Sequence, residues 1–325
     1  MVVETTFDFD QMLSSAREAY GEELMSIADE GIDFAFVCSD NVSESSSAGR
    51  MMAKYPERCI NVGIAEANEV GISAGIALSG TMVFAQVFGP FLPLRAADQI
   101  HTDIAYNDVD VRLIGTHSGV TSGGGPTHNV IADLSFYRAV PNLVVCVPAD
   151  ANQCRKIIRA SLKHKGPMVI RITRGAEPEV YTSNDYDYVI GEAIIAHEGN
   201  DITLVGTGPS VYWNLMAARR LIDKGISARV IDMHTIKPFD RDIIIAAAKE
   251  TGCIMTVEDQ SINGGIGSAV AEIIAEEGLD CMFRRVGIPD EFAVLGDPDE
   301  VYKYYKLDPE SLSMTAESLI EAKKI

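Results

Sequence analysis

The chain predicts an α/β protein of two consecutive domains with mainly parallel sheets, on three observations. β-Branched runs alternate with helical patterns along the sequence, the arrangement that βαβ units around a parallel sheet produce. At 325 residues, 47% of them hydrophobic, the chain can bury a large core and is longer than one domain ordinarily needs. A polar stretch without helical periodicity, residues 177–187, separates two halves that both carry the alternating pattern, and such a segment reads as a linker.

In the first half, residues 33–38, 81–85, 111–115, 143–147 and 168–172 read as five strands, and residues 14–28 place apolar side chains at helical spacing. The first domain is expected over residues 1–180, the linker over 181–190 and the second domain over 191–325. In that second half, residues 202–205, 228–232 and 253–258 supply further strands. The first of these ends at Gly206-Thr207-Gly208, where Val211 takes the place of a third glycine. The turn therefore reads as a tight strand-to-helix connection and not as a dinucleotide-binding fingerprint. Gly264-Gly265-Ile266-Gly267-Ser268 is expected to let a helix begin close to a neighbouring backbone. No internal repeat or low-complexity tract is present.

Charge and cysteine usage remove several function classes. A formal net charge of -20 argues against nucleic acid or an anionic membrane as partner, because phosphate binding relies on Lys and Arg. Any phosphate ligand has to be met by local arginines. No apolar run reaches the roughly 18 to 20 uninterrupted residues of a membrane span. Met1-Val2-Val3-Glu4 lacks a basic segment followed by an apolar one, so cytoplasmic residence is expected. Cys38, Cys59, Cys146, Cys154, Cys253 and Cys281 are scattered with no Cys-x-x-Cys pair, which suggests neither a zinc site nor a disulfide framework. Three of them lie in apolar strand-like runs and read as core filler.

Three stretches carry candidate chemistry. Gly63-Ile64-Ala65-Glu66 sets a carboxylate on a small-residue turn ahead of residues 70–78, which read as a buried segment. Burial disfavours the ionised form of a carboxyl and lets it share a proton with a basic ring nitrogen near neutral pH. The alternative is that Glu66 caps a helix running from Ala67 onward. The stretch from Thr116 to His128 follows the third strand, and ligand crevices open at the carboxyl ends of such sheets. There His117 and His128 bracket a glycine-rich loop that can bring backbone close to a ligand, while imidazole moves protons near neutral pH. A mobile surface loop is the alternative. Phe88-Gly89-Pro90-Phe91 follows the second strand and offers two aromatics as a platform for a heteroaromatic ring, unless both rings fill the core.

In order and spacing these stretches resemble the transketolase family of thiamine diphosphate enzymes, specifically its pyrimidine-binding and C-terminal domains. The resemblance runs from residues 15–21 through 63–66, 116–128, 141–143 and 148–150, and then from Asp232-Met233-His234-Thr235-Ile236-Lys237-Pro238 to Gly287-Ile288-Pro289-Asp290. It implies that Glu66 hydrogen-bonds N1′ of the cofactor's aminopyrimidine and promotes the tautomer that removes the thiazolium C2 proton, the cofactor performing the difficult chemistry. Phe91 matches the aromatic that stacks on the pyrimidine, with Phe88 as a second wall; Leu94 stands where many relatives carry a tyrosine. His117 and His128 match histidines that contact the donor and acceptor sugars as hydrogen-bond donors and proton relays. Arg17 and Arg174 match arginines that bind the phosphate at the far end of a sugar phosphate, a task suited to a planar fork of donors. Asp40 matches an aspartate near the cofactor, with a turn-stabilising role as the alternative.

Full-length members of the family open with a diphosphate-binding domain whose Gly-Asp-Gly and downstream asparagine hold a divalent metal. This chain has no Gly-Asp-Gly and starts directly at the pyrimidine domain. The resemblance therefore implies one subunit of a split enzyme, with the diphosphate of thiamine diphosphate and its Mg2+ or Ca2+ held mainly by an N-terminal transketolase subunit. Self-association to a dimer or an α2β2 assembly is implied as well. The expected activity is transfer of a two-carbon ketol unit between sugar phosphates. A 1-deoxyxylulose-5-phosphate synthase-like enzyme, the β subunit of a 2-oxo acid dehydrogenase and a non-catalytic scaffold are the alternatives. Ser122-Gly123-Gly124-Gly125 is shorter by one residue than the family's acidic Gly-Glu-Asp-Gly form and uncharged. It lacks those acceptors for sugar hydroxyls and leaves the sugars open. Gln260 replaces a histidine common after the Val-Glu strand.

Overall fold

The computed structural model describes residues 2–3, 5, 13–40, 42–120, 125–181 and 186–323. Its strands in the first half are β1 (Leu13–Ser14), β2 (Ala35–Cys38), β3 (Cys59–Asn61), β4 (Val83–Phe88), β5 (Val111–Thr116), β6 (Val144–Cys146), β7 (Met168–Arg171) and β8 (Glu177–Pro178). The second half adds β9 (Ile194–His197), β10 (Ile202–Gly206), β11 (Ala228–Asp232), β12 (Thr235–Lys237), β13 (Cys253–Ser261) and β14 (Met282–Ile288). Two main sheets result, ordered β12-β6-β7-β5-β4-β2-β3 and β14-β13-β10-β11-β9. Each is parallel except at one edge, where β12 and β9 run antiparallel to β6 and β11. This is the predicted α/β class.

Chain chemistry accounts for the central strands. β4 and β5 pair in register from Val83 opposite Val111 to Phe88 opposite Thr116, and nearly all of their residues are buried, as strands with helices on both faces must be. Helix α1 (Ala16–Asp29) starts where the Ser15 side chain accepts from the Glu18 amide, and it buries Tyr20, Leu24 and Ile27 along one face. Helix α2 (Ser47–Lys54) is capped in the same way by Ser46. Helix α3 (Glu66–Leu78) follows β3.

Four expectations change. The first sheet has seven strands and not five, because three-residue β3 joins one edge and β12 crosses over from the second half to the other. The segment expected as a linker is packed at its described ends: Glu177 and Pro178 pair with β1, and Tyr181 is fully buried, its hydroxyl donating to Asp232 at 2.6 Å. Residues 70–78 are buried on one face only, through Val70, Ser73 and Ala74, while Leu78 is exposed. The helix Ile266–Glu276 does start in tight quarters, but its neighbour is a side chain. The Glu258 carboxylate accepts from the Ile266 and Gly267 amides at 2.9 and 3.0 Å, and a Cβ on Gly265 would collide with it. All six cysteines are free, and Cys38, Cys146 and Cys253 are buried in strands. Among the described residues no helix is long and apolar enough to cross a membrane.

Candidate active site

The carboxyl ends of β2 and β4 and the start of α3 enclose a cavity of about 400 Å³, with Asp40, Glu66, Gln86, Phe88, Phe91 and His128 in its wall. Glu66 is the first residue of α3 and 6% exposed, and no side chain caps that helix. This overturns the capping alternative, since the helix includes Glu66 and does not begin after it. Nor is the carboxylate alone. Arg95 Nη1 donates to its Oε1 at 2.7 Å, and the same guanidinium lies 3.8 Å from the centroid of Phe91. One turn further along α3, Glu69 is buried, with the Ser39 hydroxyl donating to Oε2 and, among the described residues, no partner for Oε1. Burial pushes its carboxyl well above the usual range, opposed by the Ser39 hydrogen bond and reinforced by the Glu66 charge.

Phe88 ends β4 and so belongs to the strand and not to the loop after it. Its ring lies 4.2 Å from that of His117 and 5.9 Å from that of His128, and Phe91 lies 5.4 Å from His128. The four rings form one cluster, which favours a platform over two separate core fillers. His117 follows the last residue of β5 with φ 61°, a left-handed conformation uncommon outside glycine and concentrated at functional sites. Its Nδ1 is 3.0 Å from the Thr116 hydroxyl. Burial first, then the charges of Arg17, Arg174 and His128, lower its pKa to about 4. The expectation that this imidazole moves protons near neutral pH is thus corrected: it is neutral there, able to donate from one ring nitrogen and accept at the other.

The second half of the chain holds the root of the histidine loop. Gly119 bridges to Val130, and Ser261 of β13 donates its amide to Ile131 at 2.9 Å. Beneath them Arg171 Nε meets Asp133 at 2.6 Å and Nη1 meets Asp259 at 2.9 Å, all three buried. Thr121, Ser122, Gly123 and Gly124 lie outside the described residues, whereas Gly125 has φ 85°. Gln260 does not line the cavity; it donates to Glu258 at 2.7 Å inside the second sheet's core. Arg17 is half-buried, 3.4 Å from Glu18, which also takes Arg50 at 2.6 Å. Asp40 combines both of its readings: it lines the cavity, and it holds a turn at φ 57° in which its amide donates to Asn61 at 3.0 Å.

Sequence reasoning missed Arg95, Gln86 and Glu69. Arg95 sits four residues after Phe91 on one short helix, Phe91–Arg95, the spacing that brings side chains together. Gln86 is the one amide in an otherwise apolar strand, and its buried Oε1 has no partner among the described residues.

Comparison with known proteins decides the family. Residues 14–179 match the domain described as transketolase, pyrimidine binding domain, and residues 191–312 match transketolase, C-terminal domain. The chain belongs to the transketolase family. An apulose-4-phosphate transketolase subunit of Phocaeicola vulgatus is 37% identical over 305 residues, covering 93% of this chain and 96% of that one. The 6-deoxy-6-sulfo-D-fructose transketolase subunit of Clostridium sp. is 34% identical, covering 94% and 95%. A solved structure titled as a split gene transketolase, inactive β4 tetramer, superposes with a TM-score of 0.86 at 34% identity, covering 95% and 99%.

Transketolases depend on thiamine diphosphate, and the residues present fit the pyrimidine half of that cofactor. Phe91 offers an aromatic face, Glu66 a buried carboxylate and Gln86 Oε1 an unpartnered acceptor for an amino group. Among the described residues no group of three or more His, Cys, Asp or Glu could hold a metal ion.

Proposed function

We propose that this chain is the C-terminal subunit of a split transketolase, which moves a two-carbon ketol unit between sugar phosphates after joining a separate diphosphate-binding subunit. The observation that carries the reading is the meeting of Glu66, Phe88, Phe91 and His128 around one cavity, with His117 packed against the Phe88 ring, on a chain matched over more than nine-tenths of its length by subunits named for transketolases. When bound, thiamine diphosphate supplies the carbon–carbon bond chemistry. Glu66 would hydrogen-bond N1′ of its ring, Phe91 and Phe88 would stack on and wall that ring, and Asp40 would border it. His117 and His128 bond the hydroxyls of the donor and acceptor sugars. Arg17 and Arg174, whose charges both reach His117, take the phosphate end of the substrate.

The partner subunit holds the diphosphate and its Mg2+ or Ca2+. Ile64 and Leu94, 74% and 66% exposed beside the cavity, suit an apolar surface that another subunit covers. The solved relative described as an inactive β4 tetramer supports self-association of this chain and a need for its partner. The same reading divides the chain into a pyrimidine-binding domain over residues 1–180, a connection over 181–190 and a C-terminal domain over 191–325, acting on sugar phosphates in the cytoplasm.

Reconstitution with the diphosphate-binding subunit tests the proposal. Two-carbon transfer from a ketose phosphate to an aldose phosphate is expected, with no CO2 released from pyruvate. Release of CO2 would move the chain to the synthase or dehydrogenase reading. Absence of any thiamine-dependent reaction would leave a scaffold.

A further inference from the structure

Arg95 occupies both contacts that a pyrimidine ring would require in the cavity. Its Nη1 takes Glu66 Oε1 at 2.7 Å, and its guanidinium lies over the Phe91 ring, 3.8 Å from the centroid. A guanidinium is flat and edged with N–H donors, so it mimics the shape and the donor pattern of an aminopyrimidine whose ring nitrogen carries a proton. Two flat groups cannot share one face of Phe91.

We infer that Arg95 is a placeholder for the cofactor's aminopyrimidine: it satisfies Glu66 while the site is incomplete and withdraws when the ring enters. The inference rests on the proposed thiamine diphosphate site and adds a residue which that reading did not use. Three features support it. Glu66 is 6% exposed, and a buried carboxylate without a partner is costly, so the unassembled subunit gains from a resident cation. The Arg95 side chain is about half exposed and ends the short helix Phe91–Arg95, so its head can swing towards solvent without disturbing the core. Leu94 beside it is exposed too, which leaves room on that side.

Withdrawal has a cost that cofactor binding must offset. Removing the guanidinium should therefore tighten binding of the cofactor instead of weakening it, the opposite of what a binding residue would do. Isothermal titration of thiamine diphosphate with Mg2+ into the assembly of this chain and its diphosphate-binding partner measures this directly. Arg95→Ala is expected to bind about tenfold more tightly than wild type, the scale of one part-exposed ion pair and one cation–π contact together. Arg95→Met keeps an apolar stem over Phe91 but frees Glu66, and is expected to give a smaller gain in the same direction. A crystal structure of the loaded wild-type assembly should show Arg95 clear of Phe91. Equal or weaker binding by both variants overturns the placeholder role and leaves the functional proposal standing. If wild type and variants alike fail to bind the cofactor, the functional proposal falls and this inference with it.

Discussion

Glu66 in the cavity wall and His117 behind the Phe88 ring make opposite electrostatic demands, and each gives a measurable outcome. Replacing Glu66 by Gln keeps the size of the side chain and returns half-exposed Arg95 to water, so the fold should survive. Ketol transfer by the reconstituted assembly should then fall at least about a hundredfold, the scale of a positioned acid–base group, while circular dichroism stays unchanged. A scaffold subunit would keep its full rate. For His117, burial and the neighbouring guanidiniums hold the folded pKa near 4, below the usual value for imidazole. Its contribution to stability is therefore fully present above about pH 6.5 and lost as pH falls towards 4. Its ring signals in an NMR titration should stay those of a neutral imidazole from pH 8 down to about 5; a midpoint near 6.5 would refute the assignment. Glu66, the two phenylalanines and the two histidines were legible because each sits in a short local pattern. Arg95 was not, because its role comes from meeting a carboxylate 29 residues away in sequence, and Glu69 acquires its character only from burial.

Among the elements, the ends of β4 and β5 set Phe88 of the cavity wall against His117, and one glycine shows how closely they approach. A Cβ on Gly89 would collide with the Ser118 hydroxyl and reach its Cα at 3.1 Å, so Gly89→Ala must push Phe88 and His117 apart. Overpacking of that kind costs about 1–3 kcal/mol, and thermal melts should show a lower Tm. Gly75 in α3 is the matching control, since among the described residues nothing lies within 4 Å of its added Cβ. Gly75→Ala should raise the stability of the isolated chain by about 0.5–1 kcal/mol through helix propensity alone. A lower Tm there would mean that α3 is already packed against another copy. The long central strands could be read from sequence because continuous apolar runs of β-branched residues leave few alternatives. β3 and β12 could not, since three residues carry no period and β12 pairs with a strand some ninety residues earlier in the chain.

At the scale of the whole molecule, the seam between the two halves stores unusual carboxyl groups. Asp150 accepts from the Val180 and Tyr181 amides at 2.8 Å, and Asp232 accepts from Tyr181 and Gln153 at 2.6 Å, all out of contact with water. Burial outweighs these hydrogen bonds and raises the Asp150 pKa to about 6 and that of Asp232 to about 7. Burial likewise raises Glu258 to about 7 and Glu177 to about 8. A carboxyl whose folded pKa exceeds its unfolded one contributes stability that is fully present below the unfolded value and is lost as pH rises through the folded value. The buried histidines act in the other direction: His117 and His234, both lowered to about 4, contribute fully above about pH 6.5 and change nothing beyond it. From pH 6.5 to 8.5 the carboxyls are therefore the main source of pH dependence, and each ionisation adds a negative charge to a chain whose formal charge with every carboxyl ionised is -20. The Tm of the isolated chain should fall steadily across that range. Asp232→Asn keeps an acceptor for Tyr181 and removes one ionisation, so its Tm should fall less steeply than that of wild type. A Tm that stays level or climbs between pH 6.5 and 8.5 would mean that these carboxyls are already ionised in the fold, and that the seam is held by charge instead of by protonated acids.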